Sequence, residues 1–337
     1  MQLDFADMVY RYVFYFGKYD IMTVQDLNSV SAISGTECKT SGEVLSMSID
    51  ITIRQNGVLK KSLPFDVICG GLKYGSFDGL KLIEGEIGED EFMLYHPSHL
   101  ARGFSVVWKK GEKNQIYMHL PSPTCAEETD DFYDTVERVA GFWKNCSIEQ
   151  DGAAIELASI PSWRKDMKEF NLRTLIEFCK EKEDLDNLTL YCAYWPLVFG
   201  PKEKGLFRQA SDLSGFRDFL HEKQSVDAYY ANPHFYINED GPFGSFAVTE
   251  DCDSIFPIEP YVPFGVNDPE TDEPLKVNRW YISYYSVTKD AVIGHTQYSD
   301  FIGSIEGKEY YDAGNVFFKG IPLGEMEGLV SKFGIEI

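Results

Sequence analysis

The sequence predicts an α+β fold, antiparallel hairpins with segregated helices, arranged as two α+β domains. Three observations predict it. Apolar residues alternate with period two on either side of short turn signals such as Asn56–Gly57 and Asp240–Gly241. Two stretches near the middle of the chain change to helical spacing, and nowhere do single strands and helices alternate as βαβ units. At 337 residues the chain exceeds the size at which one core keeps growing, so it is divided into residues 1–158 and 159–337.

In chain order, "EVLSMSIDITIRQ" (43–55) reads as a strand that turns at Asn56–Gly57 and returns through "VLKKSLPFDV". "GFSVVW" and "QIYMHL" flank the polar turn "KKGEKN", so residues 103–120 form a second hairpin. Cys69 and Cys192 read as buried thiols in strands. A helix begins at Thr124, where Glu127 completes a capping box, and Phe132, Val136, Val139 and Trp143 form its buried stripe. A small hairpin turning at Asp151–Gly152 marks the domain boundary, and a second helix follows over 162–182.

The second half reads as a strand in "LTLYCAYWPLVF", a helix in "DLSGFRDFLHEKQS", hairpins turning near 240–241 and 289–290, a strand in "GNVFFKG" and a helix over 323–333. Between the hairpins lies "FPIEPYVPFGVNDPETDEPL" (256–275), with five of the 15 prolines. Proline deletes a backbone donor, so this stretch is neither a central strand nor a helix interior. It is read as an arm anchored by Phe256, Tyr261 and Phe264, in preference to a mobile lid.

The charge narrows the function. With 54 acidic against 31 basic residues the formal charge is −23, which repels nucleic acid and anionic membrane. A DNA mimic, a third possibility, would need its acids in rows along one face, whereas acids scattered in short clusters usually form a solvated surface. Asp4, Asp7 and Arg11 interrupt the N-terminal apolar stretch, no run reaches the about 20 residues of a membrane span, and the seven cysteines lack a C-x-x-C pair. The expectation is a cytoplasmic protein without disulfides, metal or cofactor.

Candidate site residues are few. "HPSHLAR" places His96, His99 and Arg102 within one short turn, where they could orient a carboxylate. "HEKQS" opens like a zinc-peptidase helix at His221 but carries Ser225 where the second histidine belongs. It is read as a helix end that carries Tyr229 and Tyr230 into the core. Glu127–Glu128 and Asp130–Asp131 fit the first turns of a helix, where its dipole favours carboxylates. His119 and His295 read as satisfied strand residues. "GGLKYGSFDG" and "GPKEKG" fail as phosphate-binding loops because the required spacing or the following Lys-Ser/Thr is missing.

The blocks "HLPSPT", "EETDDFYDTVER", "HEKQSVDAYYANPHFY", "TEDCDSIFPIEPYVPFG" and "PETDEPLKV" resemble an uncharacterised bacterial domain-of-unknown-function family of about this chain length. The resemblance implies a cytoplasmic bacterial protein and carries over no functional residues.

Two functions follow from these residues. The leading one is a non-catalytic binding protein that presents an acidic, tyrosine-rich surface to a protein partner, with Arg102, Tyr261 and Phe264 as binding residues. The alternative is a hydrolase or other small-molecule enzyme with a histidine-containing inter-domain cleft, using His96, His99 or His221. Convergence of these histidines, with a perturbed pKa, separates the second from the first.

Overall fold

Alternating apolar residues between Ser48 and Ile155 pair into one eight-stranded antiparallel sheet. A computed structural model describes residues 39–40, 43–44, 48–78, 81–88, 91–180, 187–263, 265–269 and 271–337. The chain divides into two compact units, and the sheet belongs to the one formed by Met47–Tyr230 and Glu309–Phe317. The expected boundary at 158/159 falls inside this unit, because the hairpin at Asp151–Gly152 extends the sheet.

In this unit the strands are β1 (Ser48–Gln55), β2 (Lys73–Asp78), β3 (Lys81–Glu84), β4 (Glu91–Tyr95), β5 (Phe104–Val107), β6 (Gln115–Pro121), β7 (Cys146–Gln150) and β8 (Ala153–Ile155). They lie in the order β8-β7-β1-β6-β5-β4-β2-β3. Two helices, α1 (Phe65–Cys69) and α2 (Ala126–Trp143), belong to the same region, and α3 (Ile160–Lys180) follows. Strand alternation sends Ile49, Ile51, Ile53, Phe104, Val106, Ile116, Met118 and Leu120 into one core with Phe132, Val136, Val139 and Trp143 of α2. The opposite face carries Asp50, Thr52, Ser105, Tyr117 and His119, all half-buried.

The hairpin expected at Asn56–Gly57 does not form. β1 pairs instead with β6 and β7, and the segment after Gly57 runs without regular structure until Pro64 caps α1. The Gln55 side chain takes the place of a returning strand: it accepts from Lys61 N–H and donates to Lys61 O and Lys113 O. Cys69 therefore ends a helix, and Cys192 follows a strand; both thiols are buried. Residues 103–120 do form the expected hairpin of β5 and β6.

The α2 helix starts one residue later than the capping box placed it. Cys125 is the N-cap, its Sγ accepting from Glu128 N–H at 3.4 Å, and Thr124 donates its hydroxyl to the Glu128 carboxylate. α3 packs along α2 through ion pairs from Lys168 and Arg164 to Asp130, with Arg164 also meeting Asp134 and Glu137. The predicted strand at "LTLYCAYWPLVF" is two short antiparallel strands, β9 (Leu188–Leu190) and β10 (Leu197–Phe199), because Pro196 interrupts the ladder. Helices α4 (Pro201–Phe207) and α5 (Ser214–Gln224) complete the elements used below.

The other unit, among the described residues, comprises 39–40, 43–44, Ala231–Lys308 and Phe318–Ile337. Its hairpins are β11 (His234–Asn238) with β12 (Gly241–Thr249), and β14 (Trp280–Ser286) with β15 (Ala291–Gln297). These join through a parallel pairing of β12 with β14, which departs from the purely antiparallel expectation. A parallel pair needs a crossover of a dozen or more residues. The proline-rich stretch, which starts in β13 (Ser254–Pro257), lies within that crossover. Phe256 is fully buried against Phe246, Phe301 and Phe318, whereas Tyr261 is exposed and Phe264 lies outside the described residues. Helices α6 (Tyr298–Ser304) and α7 (Leu323–Phe333) belong to this unit.

Candidate acid–base site

The loop between β4 and β5, His96–Gly103, is held by side chains from two helices. A loop buries backbone groups only if they find partners, and here they do. Leu100 N–H donates to Nδ1 of His221 on α5 at 3.1 Å. Gln224, one turn further on α5, donates to Ala101 O at 2.7 Å, and Ala193 N–H donates to the same oxygen at 3.0 Å. Glu128 of α2 accepts from Arg102 N–H at 3.2 Å and from Gly103 N–H at 2.6 Å. Gly103 has φ 71°, and a Cβ there would lie 2.3 Å from the Met93 sulfur, so only glycine fits this exit into β5.

Arg102 is 8% exposed, and its guanidinium is used internally: Nε donates to Tyr191 O at 3.0 Å and Nη1 to Pro123 O at 3.5 Å. Burial lowers its pKa, with the Glu128 carboxylate acting against that fall. Burial likewise raises Glu128, opposed by the Thr124 hydroxyl and the two loop amides. These two charges fix the loop, and the orienting of an external carboxylate expected of Arg102 has no geometric support.

On this frame the two loop imidazoles stack, ring centroids 4.1 Å apart and planes 11° from parallel. Nε2 of His99 meets Asp131 Oδ2 of α2 at 2.7 Å, where the two side chains are 17% and 20% exposed. The Asp131 hydrogen bond is the largest cause of a raised His99 pKa; burial opposes it, and the charges of Asp131, Glu128 and Glu127 add to it. Nδ1 of His96 accepts from Ser98 N–H at 3.2 Å and lies 2.8 Å from Ser98 Oγ.

These contacts assign the tautomers. With Nε2–H on Asp131, neutral His99 presents its lone pair at Nδ1 and can accept a proton there. With Nδ1 filled by the Ser98 amide, neutral His96 carries its proton at Nε2 and can donate a hydrogen bond there. His221 accepts from the loop backbone at Nδ1, which holds the loop against α5. No group of three or more His, Cys, Asp or Glu side chains among the described residues could hold a metal ion.

All three sequence-nominated histidines thus meet at one loop, while Tyr261 belongs to the other unit. Sequence reasoning missed Asp131, Glu128 and Gln224. The acids were visible as a helix start, but nothing in the sequence pairs Asp131 with a histidine 32 residues away. Among the described residues the tyrosines divide between core and surface, with Tyr74, Tyr117, Tyr194, Tyr229, Tyr236 and Tyr285 half-buried. Tyr95, Tyr133, Tyr230, Tyr281, Tyr284, Tyr298 and Tyr311 are buried, and the exposed ones are Tyr191, Tyr261 and Tyr310.

A family model described as a domain of unknown function (DUF4299) matches residues 48–329. The chain belongs to this family. No curated protein and no solved structure matches it. The DUF4299 match spans both compact units and includes every residue of the histidine loop. No helix among the described residues is long and apolar enough to cross a membrane.

Proposed function

We propose that this protein is a small-molecule enzyme of hydrolase type. His99 acts as general base through Nδ1, oriented by Asp131, and His96 donates Nε2–H to the negative charge that develops on the substrate. The observation that carries the reading is the His99–Asp131 contact of 2.7 Å with His96 stacked on the same ring. A base needs a partner that fixes its tautomer and a pKa near the working pH, and the raised His99 value has both causes on one residue. The loop supports the reading because its backbone is already anchored, so little order is lost when a substrate binds.

The substrate is neutral or cationic. Asp131, Glu127 and Glu128 surround the imidazoles, and the formal charge of −23 repels anions, nucleic acid included. We place the protein in the cytoplasm, a compartment in which the unpaired thiols of Cys69, Cys125, Cys146, Cys179, Cys192 and Cys252 persist.

The experiment is a hydrolysis screen with neutral, cationic and anionic esters on the wild type, His99→Gln and His96→Gln. Turnover of a cationic ester that falls at least about 100-fold in His99→Gln supports the reading. Equal turnover of that ester in all three proteins, or a preference for anions, defeats it.

A further inference from the structure

A second chemical cluster lies on the outward face of the eight-stranded sheet, away from the core that α2 covers. Register puts three side chains in one row: Asp50 of β1 is directly opposite His119 of β6, and His119 is directly opposite Ser105 of β5. Directly opposed residues on one face have Cβ atoms about 4.5–5.5 Å apart. Nδ1 of His119 lies 2.7 Å from Asp50 Oδ1, and the Tyr117 hydroxyl donates to the same oxygen at 2.5 Å. The backbone N–H of Asp50 donates to Asp151 Oδ1 at 2.9 Å. The His119 and Asp50 side chains are 37% and 38% exposed, so the row is reachable from outside.

We propose that Ser105, His119 and Asp50 form a serine-nucleophile site for acyl transfer from an uncharged carboxylic ester. The roles follow from which nitrogen is engaged. Asp50 engages Nδ1 from β1, which leaves Nε2 free of that carboxylate, and the register places Ser105 on the strand at the other side of His119. An aspartate on Nδ1 with a serine on the Nε2 side is the arrangement that activates a hydroxyl, whatever the order of the three residues in the chain. The row reads Asp50, Ser105, His119 along this chain.

In the reaction Ser105 Oγ forms a bond to the carbonyl carbon while its proton passes to His119 Nε2. Asp50 stabilises the resulting imidazolium. The tetrahedral species collapses with cleavage of the bond to the leaving alcohol, which takes the proton from Nε2. Water then repeats the sequence on the acyl group and restores the serine. Burial raises the Asp50 pKa, but the hydrogen bonds from His119 and Tyr117 outweigh it and hold the carboxyl below its ordinary value, in the ionised form the role needs. The neighbouring Asp151 carboxylate disfavours an anionic substrate.

The test is covalent labelling of the intact chain with a neutral alkyl fluorophosphonate, with the adduct mapped by peptide mass spectrometry. Ser105 Oγ displaces fluoride from phosphorus, and the proton goes to His119. The expected result is a single adduct on Ser105, absent in Ser105→Ala and formed at least about 100-fold more slowly in His119→Gln and Asp50→Asn. Melting curves of the variants confirm that the fold is kept, and labelling of the wild type needs no variant at all. No adduct on Ser105 under exhaustive treatment overturns the proposal. So does labelling that His119→Gln leaves unchanged, or an adduct on Ser98 with Ser105 untouched.

Discussion

His99 with Asp131 and His119 with Asp50 are the same two residue types at the same 2.7 Å, yet they are built differently. The first pair joins a loop to a helix, engages Nε2 and is mostly screened from solvent. The second joins two adjacent strands, engages Nδ1 and is more than one third exposed. In the first, the carboxylate raises the base. In the second, the shift resolved is on the acid, which is lowered. A carboxylate thus sets which imidazole nitrogen is left for chemistry, and the supporting element sets how far water weakens the pair.

Removing the frame under the first pair has the largest effect. Glu128→Ala leaves two loop amides without their acceptor and the buried Arg102 without its counter-charge. We expect a loss of about 3–5 kcal/mol by urea denaturation. The β1–β6 pair has no such frame, and substitutions there must leave the unfolding midpoint nearly unchanged.

Next in size is Asp131→Asn. The asparagine keeps the shape but no longer favours the imidazolium, so the NMR titration of His99 moves down toward the ordinary value of about 6.5. Hydrolysis that depends on His99 falls about 100-fold. The raised value also fixes the sign of the pH effect on stability. The contribution of His99 is fully present below the unfolded pKa and disappears as the pH rises through the folded one. A stability profile that is flat in the wild type over this window, or unchanged by Asp131→Asn, contradicts the assignment.

Gln224→Ala tests whether α5 holds the loop from the other side. It removes the buried donor to Ala101 O and the acceptor of the half-buried Tyr194 N–H at 2.9 Å, and about 1–3 kcal/mol is expected from thermal melts. The smallest effect belongs to the sheet pair. In His119→Ala the Asp50 carboxyl loses its first stabilising hydrogen bond, and its NMR pKa rises toward the usual aspartate range. Because Asp50 is lowered in the folded state, its contribution is present at neutral pH and is lost as the pH falls. Exposure keeps the stability change under about 1 kcal/mol.

Much of the fold was legible because it rests on local rules. The stripe Phe132, Val136, Val139 and Trp143 marked α2, the Asp151–Gly152 turn gave β7 and β8, and Asp240–Gly241 gave β11 and β12. Asn56–Gly57 misled because a strong turn signal competes with the pairing that buries more surface. β1 gains two long partners, β6 and β7, and Gln55 satisfies the freed backbone. The histidine loop was legible as a cluster of residue types, but Arg102 was misread, since its spacing looks the same whether it faces solvent or is buried beside Glu128.

By itself the sequence determined the α+β class, the strongly acidic charge, the presence of the amphipathic helices and the three histidines worth watching. These depend on composition, or on residues within one turn or one hairpin of each other. Only the tertiary structure decided that β12 and β14 run parallel, that Asp131 faces His99, and that Asp50, His119 and Ser105 share a row. Each of these joins residues from 14 to 69 positions apart, or two strands separated by a crossover. Side-chain spacing along a chain carries no record of register between strands that are distant in sequence; burial of the common core sets it.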